Sequence, residues 1–166
     1  MKVCLIQPHY DVDFAKAEEL FLWEMDALER CDRSMDLIVL PEAADVPALT
    51  KGKDAFFRAV ALYRQPLLEK AAETAKRCDA VVFINVTVDT PTGPRNTTVA
   101  FDRTGAEAGH YYKQHLTPGE VTKRQLDSDY TFRFTEPTVL TIDGIRYGFL
   151  TCYDFYFYEA YATLAR

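Results

Sequence analysis

Apolar and polar positions follow two different rhythms along the chain. The short apolar runs Lys2-Val-Cys-Leu-Ile-Gln7 and Asp36-Leu-Ile-Val-Leu-Pro-Glu42 are each closed by a proline and read as buried strands. Between them Phe14, Ala17, Phe21, Met25 and Leu28 recur at spacings of three and four, which predicts an amphipathic helix from Phe14 to Cys31 capped by Asp13. Strand, helix and buried strand in that order are the signature of a βαβ unit. Asp54 to Cys78 is helical in character, and Pro66 predicts a break with a new helix beginning there, because proline suits a first turn and disrupts an interior.

The second half changes period. Ala80 to Val88, Asn96 to Phe101 and Ala108 to Tyr112 read as a meander of strands, with turns at Thr92-Gly93-Pro94 and Arg103-Thr104-Gly105. Thr138 to Ile142 and Ile145 to Thr151 flank Asp143-Gly144, a plain hairpin signal. Lys113 to Asp129 has no period and predicts a polar loop, long enough to mark function or mobility. Asp154 to Arg166 reads as helix and ends without a glycine or proline stop, so residues 1–166 are expected to be one domain whose C-terminal part is missing.

Composition narrows the function. Of the 166 residues 48% are hydrophobic and 27% charged, as in ordinary packed domains, and no apolar run approaches a membrane span. A net charge of -6 argues against nucleic acid and anionic membrane surfaces as partners. The four cysteines form no C-x-x-C pair, so no metal or redox motif is indicated. With no export signal, free cysteines point to the cytoplasm.

Three reactive residues each end an apolar run. Glu42 follows Leu37-Ile-Val-Leu-Pro41, Lys113 follows Gly109-His-Tyr-Tyr112, and Cys152 follows Tyr147-Gly-Phe-Leu-Thr151. In open α/β sheets, reactive groups gather at the carboxyl ends of strands, so neighbouring strands would bring these three together. A carboxylate can take the proton of an attacking thiol, and an ammonium can stabilise the oxyanion formed on a carbonyl or nitrile carbon. The backbone N–H of Tyr153 would be a second donor at a strand-to-helix corner. Taken singly, each residue has a plain structural reading: core for the cysteine, loop for the glutamate, surface for the lysine. His110 and His115 flank Lys113 and allow a competing Cys–His arrangement.

Taken together, Leu40-Pro41-Glu42, Tyr111-Tyr112-Lys113-Gln114-His115-Leu116 and Leu150-Thr151-Cys152-Tyr153-Asp154 resemble, in the right order, the nitrilase superfamily of carbon–nitrogen hydrolases. Val3-Cys-Leu-Ile-Gln7 is similar to that family's first strand. The resemblance implies an α+β fold, a four-layer α-β-β-α sandwich, and it implies roles: Glu42 as general base, Lys113 as oxyanion partner, Cys152 as nucleophile. Glu120, in Leu116-Thr-Pro-Gly-Glu120, stands where many members carry a further glutamate that orients substrate or holds the lysine. Asp154 would start the helix after Cys152 as a first-turn acid. The implied substrate is a small amide, carbamoyl compound or nitrile, with no cofactor required and a homo-oligomer as the usual assembly. Two features depart from the family pattern. Tyr156 and Tyr158 occupy positions where an arginine and a proline are usual, and the family's later strands and helix would lie beyond Arg166. The competing function class is a non-catalytic α/β module for binding or assembly. Thiol labelling separates the two: a nucleophilic Cys152 is expected to react well below pH 8.5 and faster than Cys4, Cys31 or Cys78.

Overall fold

The computed structural model describes residues 1–48, 50–133 and 139–165. Strand β1 (Val3–Leu5), helix α1 (Ala17–Glu29) and strand β2 (Leu37–Val39) form the expected βαβ unit, with β1 and β2 parallel. Asp13 does act as a cap, accepting from the Ala15 N–H at 3.0 Å, but the turn it starts is a short 3-10 turn at Phe14–Lys16 that leads into α1. Helix α2 (Lys53–Cys78) then returns the chain to β3 (Val81–Thr90), which lies parallel to β2. β4 (Gly93–Phe101) and β5 (Glu107–Tyr112) continue antiparallel, giving a five-stranded sheet in the order β1-β2-β3-β4-β5.

Pro66 does not break α2, contrary to the sequence expectation: the helix runs unbroken through it. The backbone acceptor that proline leaves without an N–H partner belongs to Leu62, whose side chain is exposed, so this rung lies on the watered side of the helix. The opposite side supplies Leu67, Ala71 and Ala75 to a core shared with Leu28, Ile38, Val82 and Ile84. Each fully buried Leu or Ile there contributes about 1.5–3 kcal/mol, which outweighs one lost hydrogen bond.

The other face of the sheet packs on a hairpin, β6 (Val139–Ile142) and β7 (Ile145–Gly148), through Leu37, Val81, Phe83, Ala100, Tyr111, Ile142 and Phe149. Thr138, expected to begin this hairpin, and the terminal Arg166 lie outside the described residues. Helix α4 (Tyr158–Leu164) covers the far side of the hairpin: a Cβ at Gly148 would meet Leu164 Cδ2 at 2.9 Å. The layers therefore run α1/α2, five strands, two strands, α4, the α-β-β-α order that the sequence resemblance implied. The first strand was expected to be buried, yet Val3 and Leu5 are exposed. They share a face with Leu37 and Val39, and a hairpin of two strands is too narrow to reach the sheet edge at β1. No helix among the described residues is long and apolar enough to cross a membrane.

Candidate active site

The face of the sheet that meets the hairpin changes character along its length. Phe83, Ala100 and Tyr111 are apolar; two residues further on, Asn85 pairs with Thr98, and Asn96 and Lys113 lie beyond them on the same face. This polar end holds the carboxyl ends of β2, β3 and β5. Glu42 follows β2, and its loop is pinned to β3 by Ala44 N donating to Asn85 O at 2.9 Å. Lys113 extends β5 by one ladder bond, its N–H donating to Asn96 O at 3.0 Å, and its carbonyl accepts from the Tyr130 hydroxyl at 2.8 Å.

The segment after Lys113 is not the open polar loop its composition predicts. Lys113, Gln114, His115 and Leu116 are all buried, and a short helix, α3 (Pro118–Thr122), follows. Thr117 and Glu120 form a reciprocal cap with Pro118 at the first helical position. The Glu120 carboxylate accepts from Thr117 N at 2.8 Å while Thr117 Oγ1 accepts from Glu120 N at 3.2 Å. The cap turns Glu120 inward, where it is only 3% exposed.

Lys113 Nζ lies between the two carboxylates. It donates to Glu42 Oε1 at 2.7 Å and to Glu120 Oε2 and Oε1 at 2.9 and 3.1 Å. Burial, the largest single influence, pulls the ammonium down, but the charges and hydrogen bonds of Glu42 and Glu120 outweigh it and hold Lys113 above the usual lysine range. For Glu120, burial pushes upward and is again outweighed, here by Lys113, the Thr117 N–H and Asn96, leaving it below the usual carboxylate range.

Cys152 follows β7 at the start of a 3-10 turn (Cys152–Tyr156), with its backbone in the left-handed region at φ +47°. A non-glycine residue holds that conformation only where its surroundings enforce it, at a cost of about 1–3 kcal/mol. Asp154 enforces it. Its fully buried carboxylate accepts from Thr151 N at 2.8 Å, Tyr111 OH at 2.7 Å, and both His115 N and His115 Nδ1 at 2.8 Å. One acid thus ties the cysteine corner to β5 and to the segment carrying Lys113. The first N–H used within the turn is that of Asp154, bonded to Thr151 O at 3.0 Å, so the Tyr153 N–H stands before the turn's own ladder.

Cys152, Glu42, Lys113 and Glu120 line one cavity of about 820 Å³, together with Gln7, Tyr10, Arg124 and neighbouring residues. Four of the five residues singled out by sequence thus meet at one place; Tyr153, the fifth, follows Cys152 but is not among the residues lining the cavity. The thiol is raised above its ordinary range by burial first, then by the charge of Glu42 and a hydrogen bond with its carboxylate; Lys113 offsets part of this. That shift runs against the low-pH reactivity in the labelling expectation, and the carboxylate beside the thiol is a group that can take its proton during attack. Neither candidate histidine lines the cavity. His110 faces Glu107 and Tyr112 elsewhere, and His115 is buried against Asp154 and stacked on Phe157 at 4.0 Å.

Two residues escaped the sequence reading. Asn96 Nδ2 donates to Glu42 Oε1 at 2.9 Å and to Glu120 Oε1 at 2.8 Å, and Asn85 Nδ2 donates to Asn96 Oδ1 at 2.8 Å. Their signal was present as asparagines placed inside otherwise apolar strands, where a buried amide needs partners.

The match to carbon–nitrogen hydrolases extends over residues 2–166. Among solved structures, the chain is similar to the C. elegans NitFhit protein at 24% identity and TM-score 0.66, covering 93% of this chain and 38% of that one. A carbon–nitrogen hydrolase from Helicobacter pylori G27 aligns at 18% identity and TM-score 0.65, over 97% of this chain and 54% of that one. An amidase of the nitrilase superfamily from Nesterenkonia aligns at 18% and 0.68, over 96% and 59%. No curated protein sequence matches. The chain thus spans well under two thirds of the length of each of these structures, and over that span their shared fold and the end-to-end family match agree: it belongs to the carbon–nitrogen hydrolases of the nitrilase superfamily.

Proposed function

We propose that the chain carries the catalytic residues of a hydrolase that cleaves a non-peptide carbon–nitrogen bond through a cysteine thioester. The observation that carries this is a cysteine sharing one cavity with a carboxylate that is itself bonded to a buried ammonium. Glu42 takes the Cys152 proton as sulfur attacks an amide, carbamoyl or nitrile carbon. The negative charge that develops is held by Lys113 and the Tyr153 N–H; well-placed donors of this kind each contribute on the order of 3 kcal/mol. With an amide or carbamoyl substrate Glu42 returns its proton to the leaving ammonia or amine; a nitrile first gives a thioimidate, which adds one water before ammonia leaves. Glu42 then activates water to open the thioester, releasing the acid and free thiol. Glu120 holds Lys113 in place and shares its charge. The chemistry draws on side chains, one backbone N–H and water, and the free thiols suit a reducing cytoplasm.

The test is ammonia release from aliphatic amides, carbamoyl amines and nitriles by the chain and its Cys152→Ala variant. Loss of turnover with the fold retained, judged by circular dichroism, is expected; turnover persisting in the variant overturns the proposal. Phe155, Tyr156 and Tyr158 are exposed beside the cysteine corner and favour self-association through that face, read by sedimentation velocity. A monomer at tens of micromolar refutes the association.

A further inference from the structure

Three nitrogen donors converge on the carboxylates of Glu42 and Glu120, and two of them are Lys113 and the Thr117 backbone. The third is Asn96, whose amide bridges the carboxylates at 2.9 and 2.8 Å. The direction of this amide is fixed by a chain of bonds. Ala43 N, which can only donate, bonds Asn85 Oδ1 at 2.8 Å. Asn85 Nδ2 must then face the other way, where it donates to Asn96 Oδ1 at 2.8 Å and Thr98 Oγ1 at 3.1 Å. Asn96 is left with only its Nδ2 to present to the carboxylates, which only accept. The chain begins and ends within one loop: Ala43, in the left-handed region at φ +56°, is the residue after Glu42. Backbone and side chain of the proposed base are therefore held by the same two asparagines. Asn96 and Lys113 both bond Glu42 Oε1, and Oε2 takes no N–H donor among the described residues.

We propose that Asn96, locked in one amide orientation by Asn85, is a positioning residue that aims Glu42 at the thiol and lets two carboxylates share a single ammonium. This rests on the hydrolase reading above and adds to it Asn96, which bonds the base, and Asn85 behind it, neither of which lines the cavity. The charged and titratable groups around Glu42 are Lys113, Glu120, Cys152 and the Tyr10 phenol, with Asp11, Lys123 and Arg124 lining the same cavity. Of the cations only Lys113 is bonded to the two carboxylates among the described residues, so a reversed amide, with its carbonyl toward them, is offset by that one contact.

Asn85→Asp tests the orientation without touching either carboxylate. An aspartate still accepts from Ala43 N but cannot donate to Asn96 Oδ1. Asn96 then turns over to donate to it, and presents its own oxygen to Glu42 and Glu120. Asn85→Leu removes all of the Asn85 side-chain bonds yet gives Asn96 no reason to turn. The probe is iodoacetamide, with the rate of Cys152 alkylation followed against pH by mass spectrometry and urea midpoints measured alongside. The expected result is an inverted order. Asn85→Asp moves the acid limb of alkylation up by at least one pH unit, a tenfold slower reaction at a given pH on that limb, with modest loss of stability. Asn85→Leu loses more stability and moves the limb less. Asn96→Asp, which sets a third carboxylate beside one ammonium, shifts the limb as Asn85→Asp does and serves if that variant does not fold. An unmoved limb in a folded Asn85→Asp or Asn96→Asp, or a larger shift in Asn85→Leu than in Asn85→Asp, overturns the proposal. Alkylation needs no substrate, so the two readings fail separately. Turnover surviving in Cys152→Ala removes the hydrolase, whereas an unmoved limb with Cys152→Ala inactive removes only the role of Asn96.

Discussion

Replacing Lys113 by Met is the sharpest perturbation of the site. Methionine has a similar unbranched length and fills the space, so the change isolates the charge. Lys113 is 1% exposed and satisfies Glu42 and Glu120 together. Removing one partner of a buried pair costs about 3–5 kcal/mol, because the charge left behind is uncompensated. The Glu42 side chain is 29% exposed and can recruit water, whereas Glu120 is 4% exposed and cannot, so most of the loss sits on Glu120 and the lower end, about 3 kcal/mol, is expected. The pH dependence fixes the sign. In the parent, Glu120 is held below its unfolded value, so its stabilising contribution is complete above that value and is lost as pH falls through the folded one. In the variant, burial without the ammonium raises Glu120, so the penalty is present at neutral pH and is relieved as pH falls through the raised value. Urea unfolding followed by circular dichroism should show the gap between parent and variant narrowing by about 1–2 kcal/mol from pH 7 to pH 5. Adding Glu120→Gln should restore much of the loss at pH 7 and little at pH 5. A penalty below about 1 kcal/mol at pH 7, or one independent of pH, would refute the reasoning.

Two further outcomes follow from the structure. Asp154→Asn keeps the shape but replaces one accepting oxygen by a donating amide NH2 among four donor contacts; a stability loss of about 2–4 kcal/mol by thermal or urea unfolding is expected, together with loss of the proposed hydrolysis, because the Cys152 corner is no longer held. Pro66→Ala should stabilise by about 1–2 kcal/mol in urea, since it restores an N–H inside a continuous helix and gives back only part of the gain through the freer unfolded chain; no change would mean that the local backbone has already absorbed the proline.

Much of the chain's organisation was written locally. The βαβ unit, the meander and the hairpin follow from period and turn residues, which act over a few positions. The same locality exposed three reactive residues at the ends of apolar runs, since a polar side chain terminating a buried strand is visible without coordinates. Pro66 was misread because local preference favours a break, while Leu67, Ala71 and Ala75 are held in register by a core assembled from β2 and β3. The segment after Lys113 differs from its composition for a related reason: Lys113, His115 and Glu120 are buried with partners that include Glu42, Asp154 and Asn96, far away in sequence, which composition cannot show.

By itself, then, the sequence determined the order of the strands and of the two long helices, and the chemical identity of Glu42, Lys113, Glu120 and Cys152. Only the tertiary structure decided that Lys113 lies between two carboxylates, that Asn96 bridges them, that Asp154 bonds His115 behind the cysteine corner, and that burial and Glu42 hold the thiol above its ordinary range. Burial, charge proximity and hydrogen-bond direction are properties of distances between residues far apart in the chain, and those distances exist only once the sheet has closed against its helices and hairpin.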